Sequence, residues 1–293
     1  MIPKRCEECQ RIWPEMCDLF DSMEAGPYKR VGMFHSPGAI ALQLGPLNFR
    51  WYGILMASAM GIGLWLAYRE ARRRGLDPDS MLKAAELGLL GGLIGARLYY
   101  VAFNLDYYLR FPGKIFAVWE GGLAIHGGVI GGLLVGGGYA LARGLPAITY
   151  LDIAAPSLAL GQAIGRWGNF FNEEAFGTPT NLPWRLFISP PHRPIQYAQD
   201  EYFHPTFLYE SLWDFAVFLL LMVVFRKRFE QAPGALFLTY LGLYSVGRFL
   251  TEALRTDALM LGPIRVAQLA SVVGVTLALV GVPLLLRRTR APV

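Results

Sequence analysis

Seven apolar runs, at 51–68, 87–103, 123–142, 148–167, 207–225, 235–250 and 266–286, constrain this chain more than any other feature. Each approaches the roughly 20 residues that a helix needs to cross a bilayer. Within lipid, a helix satisfies its backbone hydrogen bonds inside a single segment. The fold class that follows is all-α: a polytopic integral membrane protein of seven transmembrane helices. Composition agrees, because only 17% of the 293 residues are charged, against roughly 25% in a soluble domain.

An odd number of spans places the termini on opposite sides, and the cytoplasmic flanks should carry the excess of Lys and Arg. If the first span enters from outside, twelve such residues between Arg69 and Arg290 flank the inner ends. The outer loops then hold six: Arg110, Lys114, Arg185, Arg193, Arg255 and Arg265. The expected topology is N-terminus outside and C-terminus cytoplasmic. The net charge of +5 reads as topology plus affinity for anionic lipid headgroups. No basic stripe stands apart from the membrane flanks, so nucleic acid is not an expected partner.

Residues 1–32 conflict with that topology, since Lys4, Arg5, Arg11, Lys29 and Arg30 would lie outside with no apolar core to make a signal peptide. Cys6, Cys9 and Cys17 could begin a zinc site but lack an evident fourth ligand. The expected start is Met33, with 1–32 a dispensable extension or a misassigned start and 33–293 a single membrane domain. Two outer segments exceed simple turns. Segment 104–122 mixes Tyr107, Tyr108, Phe111, Phe116 and Trp119 with Arg110 and Lys114, as a piece in the headgroup layer would. Segment 178–205 holds six prolines and reads as an irregular, stiff feature. Glycines recur at helical spacing, notably Gly88, Gly91, Gly92 and Gly95 in the second run and Gly127, Gly128, Gly131, Gly132 and Gly136 in the third. Such stripes let helix backbones approach closely.

Charged groups inside spans are functional candidates, because each costs about 2.5 to 3.5 kcal/mol at the bilayer centre even on the insertion scale. Arg97, Arg166, Glu210, Asp214, Arg248 and Glu252 all fall within or at the ends of the runs. In "YSVGRFLTEALR", Tyr244, Arg248 and Glu252 recur every four residues and Arg255 follows, so all share one helix face. Two readings stand: an internal Arg248–Glu252 ion pair, or an Arg248 held by Glu252 whose free N–H groups face an anion. In "GRWGNFFNEE", Arg166 and Asn169 repeat the theme, and Asn172 and Glu174 follow in a turn closed by Gly177. Donors at the rim of the hydrocarbon layer sit where a lipid phosphate sits. His126, in "WEGGLAIHGG", is either a structural histidine or a base near neutral pH. His204, before Pro205, reads as structural, and Glu210 and Asp214 as inward-facing hydrogen-bond partners. No Gly-x-Ser-x-Gly elbow, His-Glu-x-x-His or phosphate-binding glycine loop occurs.

The segment "GRWGNFFNEEAFG" resembles the signature of the prolipoprotein diacylglyceryl transferases, inner-membrane enzymes of bacteria. "GPLNFRWYG", "GARLYYVAF", "WEGGLAIHGGVIGG", "HPTFLYE" and "GRFLTEALR" resemble further family segments in the same order. The resemblance implies transfer of the diacylglyceryl group of phosphatidylglycerol to the lipobox cysteine of a prolipoprotein signal peptide. A thioether forms and glycerol phosphate leaves. By that match Tyr52, His126, Arg166, Asn169, Glu174, Gly177, Arg248 and Glu252 fall on positions the family depends on. The expected catalytic set is His126 as base, Arg166 and Arg248 on the phosphate, Glu252 orienting Arg248, and Tyr52 as a donor. Arg166, Asn169, Asn172, Glu174, Gly177, Arg97 and Tyr244 are the expected substrate-binding set. No metal and no organic cofactor are expected. On physics alone, a transporter or a non-catalytic lipid-binding scaffold remains open.

Overall fold

The computed structural model describes residues 34–45, 47–118 and 121–289. The three cysteines, Met33 and the rest of 1–32, Trp119 and Arg290 lie outside the described residues. Eight helices carry the structure: α1 (Trp51–Arg73), α2 (Pro78–Phe103), the short α3 (Leu105–Arg110), α4 (Ile125–Ala142), α5 (Ala147–Asn172), α6 (Thr206–Arg228), α7 (Ala235–Glu252) and α8 (Val266–Arg288). Six of them, α1, α2, α4, α5, α6 and α8, are long and apolar enough to cross a membrane. The run at 235–250 is helical as expected, but α7 spans 18 residues and carries Arg248 and Glu252 in its last two turns.

Local chemistry sets the helix ends. Asp77 caps α2 by accepting the N–H groups of Asp79 at 3.1 Å and Ser80 at 3.3 Å, with Pro78 in the first turn. That cap starts α2 well before its apolar run begins at Leu87, because the first turns are polar. Short π-helical turns, at Leu133–Gly137 in α4 and Leu221–Phe225 in α6, interrupt otherwise regular helices.

Long helices consecutive in the chain run antiparallel, and α5 and α7, joined by Tyr240 on Gln162, run parallel. The α2–α4 seam is built from the two glycine stripes, and a Cβ on Gly131 would stand only 2.2 Å from the carbonyl oxygen of Gly91. Backbone therefore lies directly on backbone there, the arrangement that small residues permit in lipid. Helix α1 lies along α5, where Ser157 Oγ donates to Gly63 O at 2.8 Å. Helix α6 meets α5 through Ser211 Oγ on Ala163 O at 2.8 Å, and α7 through Trp213 Nε1 on Leu243 O at 2.8 Å. The main apolar core sits among these three helices, around Ala155, Ala159, Val217, Leu221, Leu236 and Tyr240. Large side chains such as Leu134, Leu141, Val223 and Leu279 point outward, as lipid-facing residues do.

The two ends of the bundle differ. One carries arginines: Glu70 of α1 is buried and paired with Arg73 at 2.7 Å, Arg74 at 3.0 Å and Arg226 of α6 at 3.4 Å. The other carries the long loops. Segment 178–205 is anchored by a three-stranded arrangement, β1 (Phe34–His35), β4 (Leu186–Phe187) and β5 (Tyr202–Phe203), in the order β1-β4-β5. Phe176, Leu186, Ile188, Phe203 and Phe207 bury themselves beneath it. A hairpin of β2 (Ile40–Leu44) and β3 (Leu47–Arg50) leads into α1, and one of β6 (Met260–Leu261) and β7 (Ile264–Arg265) leads into α8. The strands are confined to the segments outside the long helices, so the all-α reading holds for the bundle and not for its loops.

Candidate active site

Arg166 lies near the C-terminal end of α5, Glu210 in the first turn and a half of α6, and Arg248 in the last turns of α7. At 1.5 Å rise per residue all three stand about 6 to 9 Å inside the loop-bearing ends of their helices. Packing of α6 against both α5 and α7 brings them together. Glu210 Oε2 pairs with Arg166 Nη1 at 2.7 Å, and Oε1 accepts from Arg248 Nη1 at 2.7 Å and from Thr251 Oγ1 at 3.0 Å. Arg248 Nη2 pairs with Glu252 Oε2 at 2.5 Å. Asp214, one turn below Glu210, holds Oδ2 3.9 Å from Arg166 Nε.

A third arginine joins from the rim. The chain after α5 is stitched to the chain after α7 by Gly177 N on His204 O at 3.0 Å, Thr178 N on Leu254 O at 2.8 Å and a bridge between Gly177 and Arg255. A Cβ on Gly177 would meet His204 Cβ at 2.7 Å, which explains the glycine. Arg255 grips Asp257 bidentately at 2.8 and 2.6 Å and stands 3.8 Å from Glu210. Arg265, also at this rim, donates to the carbonyl of Glu252. Three guanidiniums thus face four carboxylates, and with Arg265 on a backbone carbonyl the formal charges balance. Such an arrangement can attract an anion through oriented N–H groups and not through an excess of positive charge.

The turn after α5 is strained. Glu173 and Ala175 adopt left-handed φ values of 53° and 57°, a conformation uncommon outside glycine. Glu173 is held there by Ser189, whose N–H donates to Oε2 at 3.1 Å and whose hydroxyl also donates to it, and by His192 Nδ1 at 2.8 Å. On either side of it, Asn172 Nδ2 donates to Glu174 Oε1 at 3.2 Å. Asn169 sits one turn earlier on α5, half-buried, its carbonyl accepting the N–H of Glu174 at 3.0 Å. Tyr52, in the first turn of α1, lays its ring on the backbone of Gly168, where a Cβ would stand 2.3 Å from the ring. A groove of about 570 Å³ runs past Tyr52 and Asn172, lined also by Asn48, Phe49, Arg50, Gly53, Ile54 and Ala57.

Three expected site residues make their contacts with groups other than the cluster's carboxylates. The guanidinium of Arg97 is buried and donates to Ile115 O at 2.8 Å, Gly121 O at 2.6 Å, Gly122 O at 2.9 Å, Lys114 O at 2.5 Å and Ala117 O at 3.3 Å. Its donors are directed at the backbone of segment 104–122, so it folds that segment. Tyr244 stacks on Tyr240 within α7, ring centroids 6.1 Å apart. His126 opens α4 on the glycine seam, exposed, with its ring 6.0 Å from that of Tyr99 of α2. The helix pair that bears it is α2–α4, whereas the arginine cluster is borne by α5, α6 and α7. His204 is structural in placement: its Nδ1 lies 3.3 Å from the Tyr209 hydroxyl, and burial holds the imidazole below its ordinary 6.5.

Sequence reasoning named Glu210 and Asp214 as inward-facing partners but not as the centre of the cluster. Their four-residue spacing on an apolar helix was the available signal. Thr251 and Arg265 carried none, because only the meeting of α6, α7 and the β6–β7 hairpin gives them partners, and Asp257 pairs with Arg255 two residues away in the loop after α7. Among the described residues, no group of three His, Cys, Asp or Glu side chains is placed to hold a metal ion.

The bundle and its cluster define a class: a helical membrane protein with a half-buried guanidinium–carboxylate network at the loop-bearing rim. The chain matches the family description "Prolipoprotein diacylglyceryl transferase" over residues 39–284. It is 49% identical over 262 residues, 88% of this chain and 93% of the relative, to the phosphatidylglycerol–prolipoprotein diacylglyceryl transferase of Trichormus variabilis. It is 50% identical to the protein so named from Synechococcus elongatus, covering 85% of this chain and 87% of that one. The protein so named from Thermotoga petrophila is 46% identical, with 85% of each chain covered. The chain belongs to the prolipoprotein diacylglyceryl transferase family.

Proposed function

We propose that this chain transfers the diacylglyceryl group of phosphatidylglycerol to the sulfur of a lipobox cysteine in a prolipoprotein signal peptide. The carbon–oxygen bond between the diacylglyceryl unit and the phosphate breaks, and a carbon–sulfur bond forms. Glycerol phosphate leaves, and the thiol proton passes to a base. The observation that carries this reading is the Arg166–Glu210–Arg248 arrangement: two guanidiniums from different helices, tied to one carboxylate, near the loop-bearing ends of their helices.

The leaving group gains negative charge as the carbon–oxygen bond lengthens, so preorganised N–H donors on its oxygens lower the barrier. Arg166 and Arg248 supply them, with Glu252 orienting Arg248. Asn169, Asn172 and Glu174 bind the glycerol of the headgroup, and the Glu174 position depends on the turn that ends at Gly177. Tyr52 donates to phosphate or glycerol from the groove side. A thiol attacks as thiolate, and His126 takes its proton. The cysteine belongs to the peptide, so the enzyme contributes no nucleophile.

On this reading α7 is a seventh span, the loop-bearing end faces outside, and the arginine-rich end at Glu70 and Arg226 lies on the cytoplasmic side of a bacterial inner membrane. The balance of twelve inner against six outer Lys and Arg supports that orientation. The test is reconstitution of the full chain with phosphatidylglycerol and a lipobox peptide, read by mass spectrometry of the peptide. One diacylglyceryl unit gained on the cysteine, and lost with Arg248→Ala in a folded protein, is the expected result. An unmodified peptide under conditions where a family relative works would overturn the reading.

A further inference from the structure

Glu210 is buried, lies between two arginines of different helices, and has been given no part in the chemistry above. Each of its oxygens has a separate task. Oε2 meets Arg166 of α5, Oε1 meets Arg248 of α7, and Thr251 Oγ1 fixes Oε1 further while also donating to Gly247 O at 3.0 Å. Among the described residues, one other carboxylate closely holds either guanidinium: Glu252, on Arg248 alone. Asp214 stands too far from Arg166, at 3.9 Å, to fix it by hydrogen bonding. Glu210 is therefore the single group through which the two cations are set relative to each other.

We propose that Glu210 is a positioning residue that aligns Arg166 and Arg248 as one clamp for the departing phosphate, an assignment that rests on the reading under Proposed function. The physical reason lies in acceptor count. Two guanidiniums that share one carboxylate each lose only part of their fork, and their outer N–H groups stay free to meet an oxyanion. A carboxylate can accept from both; a neutral amide of the same shape offers one acceptor oxygen and turns an NH₂ toward the second arginine. With Glu210 ionised, the two cations are also kept from repelling each other apart.

The test is a double-mutant cycle on the full chain in phosphatidylglycerol vesicles with a lipobox peptide. Glu210→Gln should lower kcat/KM by about 100-fold, the scale of an ångström-level misplacement of catalytic groups, with KM for the peptide unchanged. Placed in an Arg166→Ala background, the same change should cost less than about 5-fold, because the clamp it aligns is already gone. Glu210→Asp keeps both oxygens on a shorter arm and should fall between wild type and Glu210→Gln. It serves in place of Glu210→Gln if that protein does not fold. Wild-type kcat/KM in the folded variant, or losses that multiply fully in the double variant, would overturn the assignment. Retention of phosphatidylglycerol in native mass spectra separates the two readings. If wild type shows no transfer, the reading of function fails. If wild type retains lipid and transfers, and folded Glu210→Gln transfers at the wild-type rate, the positioning role alone fails.

Discussion

Arg248 and Glu210 stand 2.7 Å apart on different helices, and this contact ties α7 to α6 within the apolar bundle. Burying an ion pair is costly unless hydrogen bonds satisfy both partners. Here Thr251 donates a hydrogen bond to Glu210, and Glu252 adds a second carboxylate beside Arg248. The pair is best understood as preorganisation, in which the cost of assembling charge is met on folding and not during reaction.

Arg248→Lys should be nearly as damaging as Arg248→Ala. An ammonium is a point charge and cannot pair Glu210 and Glu252 from separate nitrogens while presenting a third donor outward. The expected loss in kcat is on the order of 10² to 10³ for either variant. Near-wild-type turnover in Arg248→Lys would show that charge alone suffices.

Gly131→Ala should separate α2 from α4, since the new Cβ would stand 2.2 Å from Gly91 O. Overpacking of this kind costs about 1 to 3 kcal/mol or more. The readout is a lower thermal midpoint in detergent, with activity falling as His126 moves on the same seam. Gly61→Ala, at a position with open space around it, should leave the midpoint unchanged.

Replacing Arg97 with Gln removes the charged donor that holds five carbonyls of segment 104–122. The expected destabilisation is about 2 to 4 kcal/mol. Limited trypsin digestion should then cut after Arg110 and Lys114 faster than in wild type. Unchanged cleavage with reduced lipid binding would instead move Arg97 to the substrate side.

Acid should loosen the rim before the bundle. Burial works to raise the Asp257 carboxyl, but the hydrogen bonds and charge of Arg255 more than offset it and hold it below the ordinary 3.8. A lowered folded value contributes stability that is present above 3.8 and lost as pH falls through the folded value. The difference in thermal midpoint between wild type and Asp257→Asn should therefore be full at pH 6 to 7 and shrink toward pH 3, as these round values bracket the ordinary carboxylate range of roughly 4. A difference independent of pH would contradict the pairing.

Much of this was legible in the residues and some was not. Runs of apolar residues marked the long helices, and paired glycine stripes marked a seam whose partners, α2 and α4, the pattern could not name. Arg166, Arg248 and Glu252 stood out because charge in an apolar run is costly. Arg97 stood out for the same reason, yet its donors turn to the backbone of 104–122, a distinction that spacing along one helix cannot make. Glu210 was visible as an inward carboxylate, but its place between two arginines depends on α6 packing against both α5 and α7. The strained turn at Glu173 was hidden because neither Glu173 nor Ala175 is a residue that announces positive φ.

The central claim is that Arg166 and Arg248 carry the phosphate as it leaves. Phosphorus NMR of the full chain with phosphatidylglycerol vesicles and a lipobox peptide follows that group directly. Wild type should convert the phosphodiester resonance to a phosphomonoester in step with thioether formation, and folded Arg166→Ala and Arg248→Ala should be slowed by about 10² or more. Conversion at the wild-type rate in either folded variant would contradict the account.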